Sequence, residues 1–212
     1  ALSEMLGLGL TFTVIGLFFT RLEALPGVWG VFAPFALAVI SGALEATLVG
    51  LAQFWAMRRS FPTITRLGWW RATLIGALSA YVLGYLPSTL MSFSEQTAQA
   101  APINEPPAAV MLLLEIGMGA AAGALLSFAQ WRVLRRSVPG AGIWIPANML
   151  AWAVGMPLIF WGMDVFFRFD PLSRGVPFLA GVLLLVGAAV GALHGAALVR
   201  LAKPGTDGSR SG

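Results

Sequence analysis

The chain has 212 residues, of which 58% are hydrophobic and only 10% are charged. Soluble domains contain about 25% charged residues, so this composition excludes a soluble globular domain and favours an integral membrane protein. The absence of cysteine excludes disulfides, thiolate metal sites and cysteine nucleophiles, and we predict no metal site.

Six segments have the composition of membrane-spanning helices. Pro87 is expected to end the third of them, and the polar stretch 88–107 is expected to be a loop. We therefore predict one all-α transmembrane domain over residues 1–202 and a disordered cytoplasmic tail over 203–212. The predicted spans are residues 5–20, 35–57, 69–86, 109–134, 144–163 and 178–201.

The basic residues predict the orientation. With both termini in the cytoplasm, most of the 13 Lys and Arg residues lie on the cytoplasmic side, as in multi-pass proteins of a bacterial inner membrane. We expect them to contact lipid phosphates or, alternatively, to dock a cytoplasmic partner, and we expect no nucleic acid. The inner set is Arg58, Arg59, Arg66, Arg71, Arg132, Arg135, Arg136, Arg200, Lys203 and Arg210, and the outer set is Arg21, Arg168 and Arg174.

One stretch of the chain occurs twice. Residues 42–62 align without a gap on residues 119–139, and Ala-Gln, Arg-Arg-Ser and Pro coincide. The pattern continues past the turn, where Trp69 corresponds to Trp144. We predict that spans two and three repeat as spans four and five, in the same orientation, to give parallel helical-hairpin repeats.

Small residues form stripes on spans two, four and six. Such stripes let helix backbones approach closely in lipid. We expect these three spans to meet along the stripes in a central seam with three-fold pseudo-symmetry. The helix-packing glycines are Gly42, Gly50, Gly119, Gly123, Gly187, Gly191 and Gly195.

Several polar residues are expected to face the bundle interior, since helical spacing places most of them near these stripes. Glu45 is either a hydrogen-bonded structural carboxyl group or a proton or ion site, because ionisable groups within a membrane are costly. Glu115 is expected to be a partly hydrated structural acid. The amides Gln53, Gln130 and Asn148 are expected to form interhelical hydrogen bonds, or alternatively to bind a substrate.

His194 is the only histidine, and small residues surround it in the sequence. It is a candidate for an interhelical hydrogen bond, for axial ligation of haem or a chlorophyll-type pigment, or for a proton relay with Glu45. No nucleotide-binding, metalloprotease or serine-hydrolase motif is present, so we assign no catalytic residues and predict that the chain is not an enzyme.

Most tryptophans are expected to lie in interfacial belts, where indoles anchor membrane helices. The predicted inner belt is Trp55, Trp69, Trp70, Trp131 and Trp144, and the outer belt is Trp29 and Trp161.

The second hairpin combines Ala129-Gln130-Trp131, Arg135-Arg136, Pro139, Trp144 and Ala147-Asn148, before a closing glycine-rich helix. This pattern resembles a group of bacterial polytopic membrane proteins with no assigned activity. The first hairpin departs from it at Phe54 and Thr73. In size and span count the chain is also similar to the substrate-binding subunits of energy-coupling-factor transporters, although it carries none of their motifs.

Two functions follow from these features. The first is a non-catalytic accessory or assembly subunit of a larger bacterial membrane complex, in contact with lipid and with other subunits or with copies of itself. The second is a small carrier or channel for a small molecule, an ion or protons. The polar residues that it would use are Glu45, Gln53, Gln130 and His194.

Overall fold

The computed structural model describes residues 6–11, 18, 21–97 and 106–202. Within this part the chain is helical apart from short turns, and it contains no strand, which confirms the all-helical prediction. Most of the first predicted span, residues 5–20, and the whole predicted tail, residues 203–212, lie outside the described residues.

Five helices in the described part are long and apolar enough to cross a membrane, which is typical of a multi-pass membrane protein. Two short 3-10 helices, Ala141–Ile143 and Leu172–Gly175, precede the last two of them. The five helices are α1 (Val28–Met57), α2 (Arg66–Thr97), α3 (Ala108–Leu134), α4 (Trp144–Phe166) and α5 (Val176–Ala202).

Helix α1 begins earlier than predicted. Its first residue is Val28, because Gly27 before it has a φ of 62°, a left-handed conformation that glycine adopts at little cost. The prediction placed the start at residue 35, after Pro34, but Pro34 lies inside the helix. Membrane helices tolerate proline when neighbouring groups satisfy the freed carbonyl.

Helix α2 passes through Pro87, which was predicted to end it, and continues to Thr97. The predicted loop therefore begins at least ten residues too early. The hydroxyl groups of Ser88 and Thr89 donate to the Tyr85 carbonyl, at 2.9 Å and 2.8 Å. Both hydroxyl groups are therefore satisfied within the helix, in the turn that follows the proline.

Each long helix packs against its neighbours in the sequence, and the neighbours are antiparallel. On α3, for example, Gly119 faces Trp152 of α4, whereas the later Gly123 faces the earlier Asn148. The N-terminal segment 6–11 lies against α1 and also contributes to a core cluster with α4 and α5.

One core cluster fills the end of the bundle where the α1–α2 and α3–α4 turns meet. Trp69 and Trp144, predicted to lie in an interfacial belt, are both 0% exposed, so that prediction is wrong for these two residues. Their rings lie 6.1 Å apart and fill the space between the hairpins. Trp29, Trp55 and Trp161, in contrast, are exposed.

The glycine stripes do not form the expected central seam. A Cβ atom on Gly119 or Gly123 would collide with the backbone of α4, and one on Gly42 would collide with the Tyr81 side chain of α2. A Cβ atom on Gly50 would lie in tight contact with Thr73 of α2. The stripes therefore bring each helix close to its hairpin partner, because elements consecutive in sequence are usually adjacent in space.

In the closing helix α5 the stripe is only partly buried. Gly187 is buried and Gly191 is half-buried. A Cβ atom on Gly195 would meet nothing within 4 Å, so its predicted packing role is wrong.

Large apolar side chains cover the outer surface of all five helices, as expected of a surface in contact with lipid. On the first half of α3, a consecutive run of these side chains is exposed, with no other helix of the described part packed over it. Exposed residues there include Val110, Met111, Leu112, Leu113, Leu114 and Ile116.

Candidate functional site

The side-chain amide of Gln130 connects three helices. Its Nε2 atom donates to Gln53 Oε1 of α1 at 3.2 Å and to Thr73 Oγ1 of α2 at 3.0 Å. Its Oε1 atom accepts from Trp144 Nε1 of α4 at 2.9 Å. Gln130 and Thr73 are almost completely buried, so these bonds satisfy polar groups that water cannot reach.

Gly50 and Gly123 permit this arrangement. Gly50 lies against the side chain of Thr73, where a Cβ atom would be only 3.0 Å from the Thr73 Cβ. Gly123 brings α3 against the backbone of Asn148, one turn after Trp144. Because these two glycines have no side chain, four helices approach closely enough for one amide to bridge them.

A second set of polar atoms near Trp144 is buried without a partner among the described residues. The Asn148 amide nitrogen donates to the Trp144 carbonyl at 2.8 Å, but its Oδ1 accepts no bond. His194 packs against the Trp144 ring, 5.2 Å between centroids, and its Nε2 is likewise unpartnered. The indole nitrogen of Trp69, whose ring packs on Trp144, belongs to the same set. The Trp152 indole nitrogen is also unpartnered, but it lies in the other core cluster.

His194 does not fit a haem or chlorophyll-type pigment in this arrangement. The imidazole is 5% exposed, Trp144 covers it, and Nε2 is shielded from solvent. A macrocycle needs open space beside the ligating nitrogen. We therefore derive no cofactor chemistry from His194.

Glu45 lies in a separate cluster between α1, α2 and the N-terminal segment. Its carboxyl group is buried, with the residue 6% exposed, and it accepts a hydrogen bond from the Tyr81 hydroxyl group. Thr11 lies within reach of the same carboxyl group and donates to the Ser41 carbonyl at 3.2 Å. Gly7 packs directly against the Glu45 side chain.

Glycine again makes room for the polar contact. A Cβ atom on Gly42 would lie 2.7 Å from atoms of the Tyr81 ring, so a side chain there would displace the phenol. Tyr81 stacks on Tyr85, one turn further along α2, with centroids 6.0 Å apart and planes 17° apart. The Glu45 carboxyl is thus connected to a pair of stacked phenols.

The structure brings together some of the predicted polar residues and separates others. Gln130, Asn148 and His194 contact Trp144, and Gln53 joins them through Gln130. No contact in the described part joins Glu45 to His194. Glu115 is half-buried and has no hydrogen-bond or ion-pair partner among the described residues.

Sequence reasoning missed Tyr81, Thr73 and the buried position of Trp144. A signal for Tyr81 was available, because the chain has two tyrosines and both lie on α2, one turn apart. Thr73 could have been found from the repeat, since it occupies the position of Asn148.

The end of the bundle that carries the two turns is strongly basic. Among the described residues, eight exposed arginines and no acidic residue lie there. The guanidinium groups of Arg58 and Arg135 cover the rings of Trp55 and Trp131, at 4.0 Å and 4.7 Å. At the opposite end, Arg168 pairs with Asp164 at 2.5 Å.

No family model, curated protein or solved structure matches the chain. The resemblance to bacterial polytopic membrane proteins therefore stays a prediction. Any function assigned to the chain rests on the contacts of its own residues.

Proposed function

We propose that the chain is a non-catalytic accessory or assembly subunit of a larger bacterial membrane complex. One observation carries this proposal: the completely buried amide of Gln130 bonds to the protein itself. Both protons of the Gln130 amide and its oxygen bond to other helices. Polar groups used in this way hold helices together and are not free to bind a substrate.

The proposal includes six spans, with residues 5–20 as the first, and two parallel hairpin repeats. Equivalent positions of the hairpins α1–α2 and α3–α4 have similar surroundings, which supports the repeat. Met57 and Leu134 are both buried before the turn, Phe61 and Val138 within it, and Trp69 and Trp144 after it.

The proposed location is a bacterial inner membrane, with both termini in the cytoplasm. The support is the distribution of charge, because cytoplasmic loops of membrane proteins are enriched in Arg and Lys. In this orientation the basic end lies at the anionic inner leaflet, and we expect lipids and other subunits or copies of the chain as partners, but no nucleic acid.

Gentle extraction from native membranes tests the proposal. We expect a particle that contains further polypeptides or several copies and has a mass well above the 22.4 kDa of one chain. The visible absorption spectrum of the same purified particle shows any pigment that a partner contributes. A particle with the mass of one chain, recovered intact from several mild detergents, would contradict the proposal.

A second candidate is a small carrier or channel, and the burial of Glu45 favours it. The structure gives no support for its joint use with His194, since the two lie in separate clusters. Glu45→Gln separates the candidates, with Glu115→Gln as the matched control. An assembly subunit retains its complex in both variants, whereas a carrier loses transport in Glu45→Gln alone.

A further inference from the structure

Glu45 is the carboxyl group that the helices enclose most completely among the described acidic residues. An ionisable group inside a membrane is costly to maintain and marks a functional site by default. The titratable groups that face it are Tyr81 and Tyr85 of α2, and the N-terminal segment adds Thr11, which does not titrate. No cation contacts it within the described part of the chain.

Hydroxyl groups lead away from Glu45 in one direction along α2. Tyr81 donates to the carboxyl group and is half-buried. Tyr85 stacks on Tyr81 and is 36% exposed. Ser88 and Thr89 follow on the same side, since residues three and four apart share a helix face. Exposure therefore rises from Glu45 through Tyr81 to Tyr85 and Ser88, whereas Thr89 is buried, 8% exposed.

In the opposite direction the path is closed. Directly after Glu45 and one turn beyond it, Ala46 and Val49 are buried, 3% and 6% exposed. Gly50 then packs directly against Thr73, whose hydroxyl group donates to the Trp69 carbonyl at 3.0 Å. Buried apolar residues and the close Gly50–Thr73 contact therefore separate Glu45 from the basic end along α1 and α2.

We propose that Glu45 is a proton-exchange site with access from one side only, through Tyr81 and Tyr85 to the Thr97 end of α2. A proton that reaches the Tyr81 hydroxyl oxygen allows Tyr81 to pass its own proton to the Glu45 carboxylate, which becomes a carboxylic acid. In the reverse direction, the Glu45 carboxyl group returns the proton to the Tyr81 hydroxyl oxygen, which releases its own proton towards Tyr85. This site goes beyond the assembly role and does not depend on it.

Labelling with a membrane-permeant carbodiimide tests the site, because carbodiimides react with protonated carboxyl groups. The full chain with Glu115→Gln is reconstituted in sealed vesicles, and protease access to a C-terminal tag reports its orientation. The pH is then set separately on each side, and mass spectrometry quantifies the adduct on Glu45. A Glu45→Gln variant, which has no carboxyl group at this position, gives the background level of the adduct.

We expect labelling to fall when the pH is raised on the side of the Thr97 end, by about tenfold per pH unit once the carboxyl group is largely ionised. The pH on the other side should have no effect. Labelling that follows the basic side, follows both sides equally or does not respond to pH would overturn the proposal.

Tyr85→Phe tests the path without removing the stacked ring. We expect the labelling of Glu45 to respond more slowly to a pH jump in this variant, whereas the final level stays the same. Ser79→Ala is the matched control, since the Ser79 hydroxyl group is exposed on the same helix and donates to the Ile75 carbonyl. Equal response times in the wild type and Tyr85→Phe would remove Tyr85 from the path.

Discussion

At the scale of single residues, Gln130 has the largest number of interhelical side-chain bonds among the described residues. Replacing it with leucine should destabilise the bundle by about 1–3 kcal/mol, because the Trp144 indole and the Gln53 carbonyl oxygen lose their partner. Gln53→Leu should cost less, since it removes one bond of the three. The measurement is the free energy of unfolding in mixed micelles. An equal loss in both variants would show that Gln130 is not the centre of the network.

The sequence predicts which residues are interior more reliably than it predicts their partners. Helical spacing placed Gln53, Gln130 and Glu45 on the packed side of their helices, and all three make interhelical or interior hydrogen bonds. The partners Tyr81 and Trp144 could not be found in this way. An amphipathic side chain suits the membrane interface and the interior equally well, and only the surrounding helices decide between them.

At the scale of helices, the close approach of α3 and α4 depends on glycine. Gly123→Leu should lower the free energy of unfolding by about 1–3 kcal/mol, because the new side chain meets the rigid backbone at Asn148 and Met149. Gly195→Leu should be nearly neutral, since nothing lies within 4 Å of its Cβ position. Thermal denaturation of both purified variants provides the comparison, and a reversed order would contradict the packing described here.

Helix ends were the least predictable feature at this scale. Pro87 was interpreted as a boundary, since proline removes a backbone donor and clashes with the preceding turn. Pro34 and Pro87 both lie inside helices, and a bundle tolerates proline there because neighbouring groups can compensate for the missing backbone donor. The sequence next to a proline does not show whether such compensating groups lie nearby in the folded protein.

At the scale of the whole molecule, the absence of native cysteine allows a direct test of orientation. Single cysteines at the exposed positions Ser60 and Ser173 lie at opposite ends of the bundle. An impermeant maleimide should label Ser60→Cys from the cytoplasmic side and Ser173→Cys from the outside. Ser137→Cys, in the second turn, should behave as Ser60→Cys does, and labelling of the two from opposite sides would exclude the parallel repeat.

The lengths of the helices have a consequence for the choice of membrane. The candidate spans contain 26 to 30 residues, which corresponds to roughly 39–45 Å at 1.5 Å per residue, whereas a typical hydrocarbon core is about 30 Å thick. Helices of this length lean away from the bilayer normal, stretch the surrounding lipids or extend beyond the hydrocarbon core at their ends. Long-chain lipids relieve this hydrophobic mismatch, so bilayer thickness becomes a variable that determines where the protein is most stable.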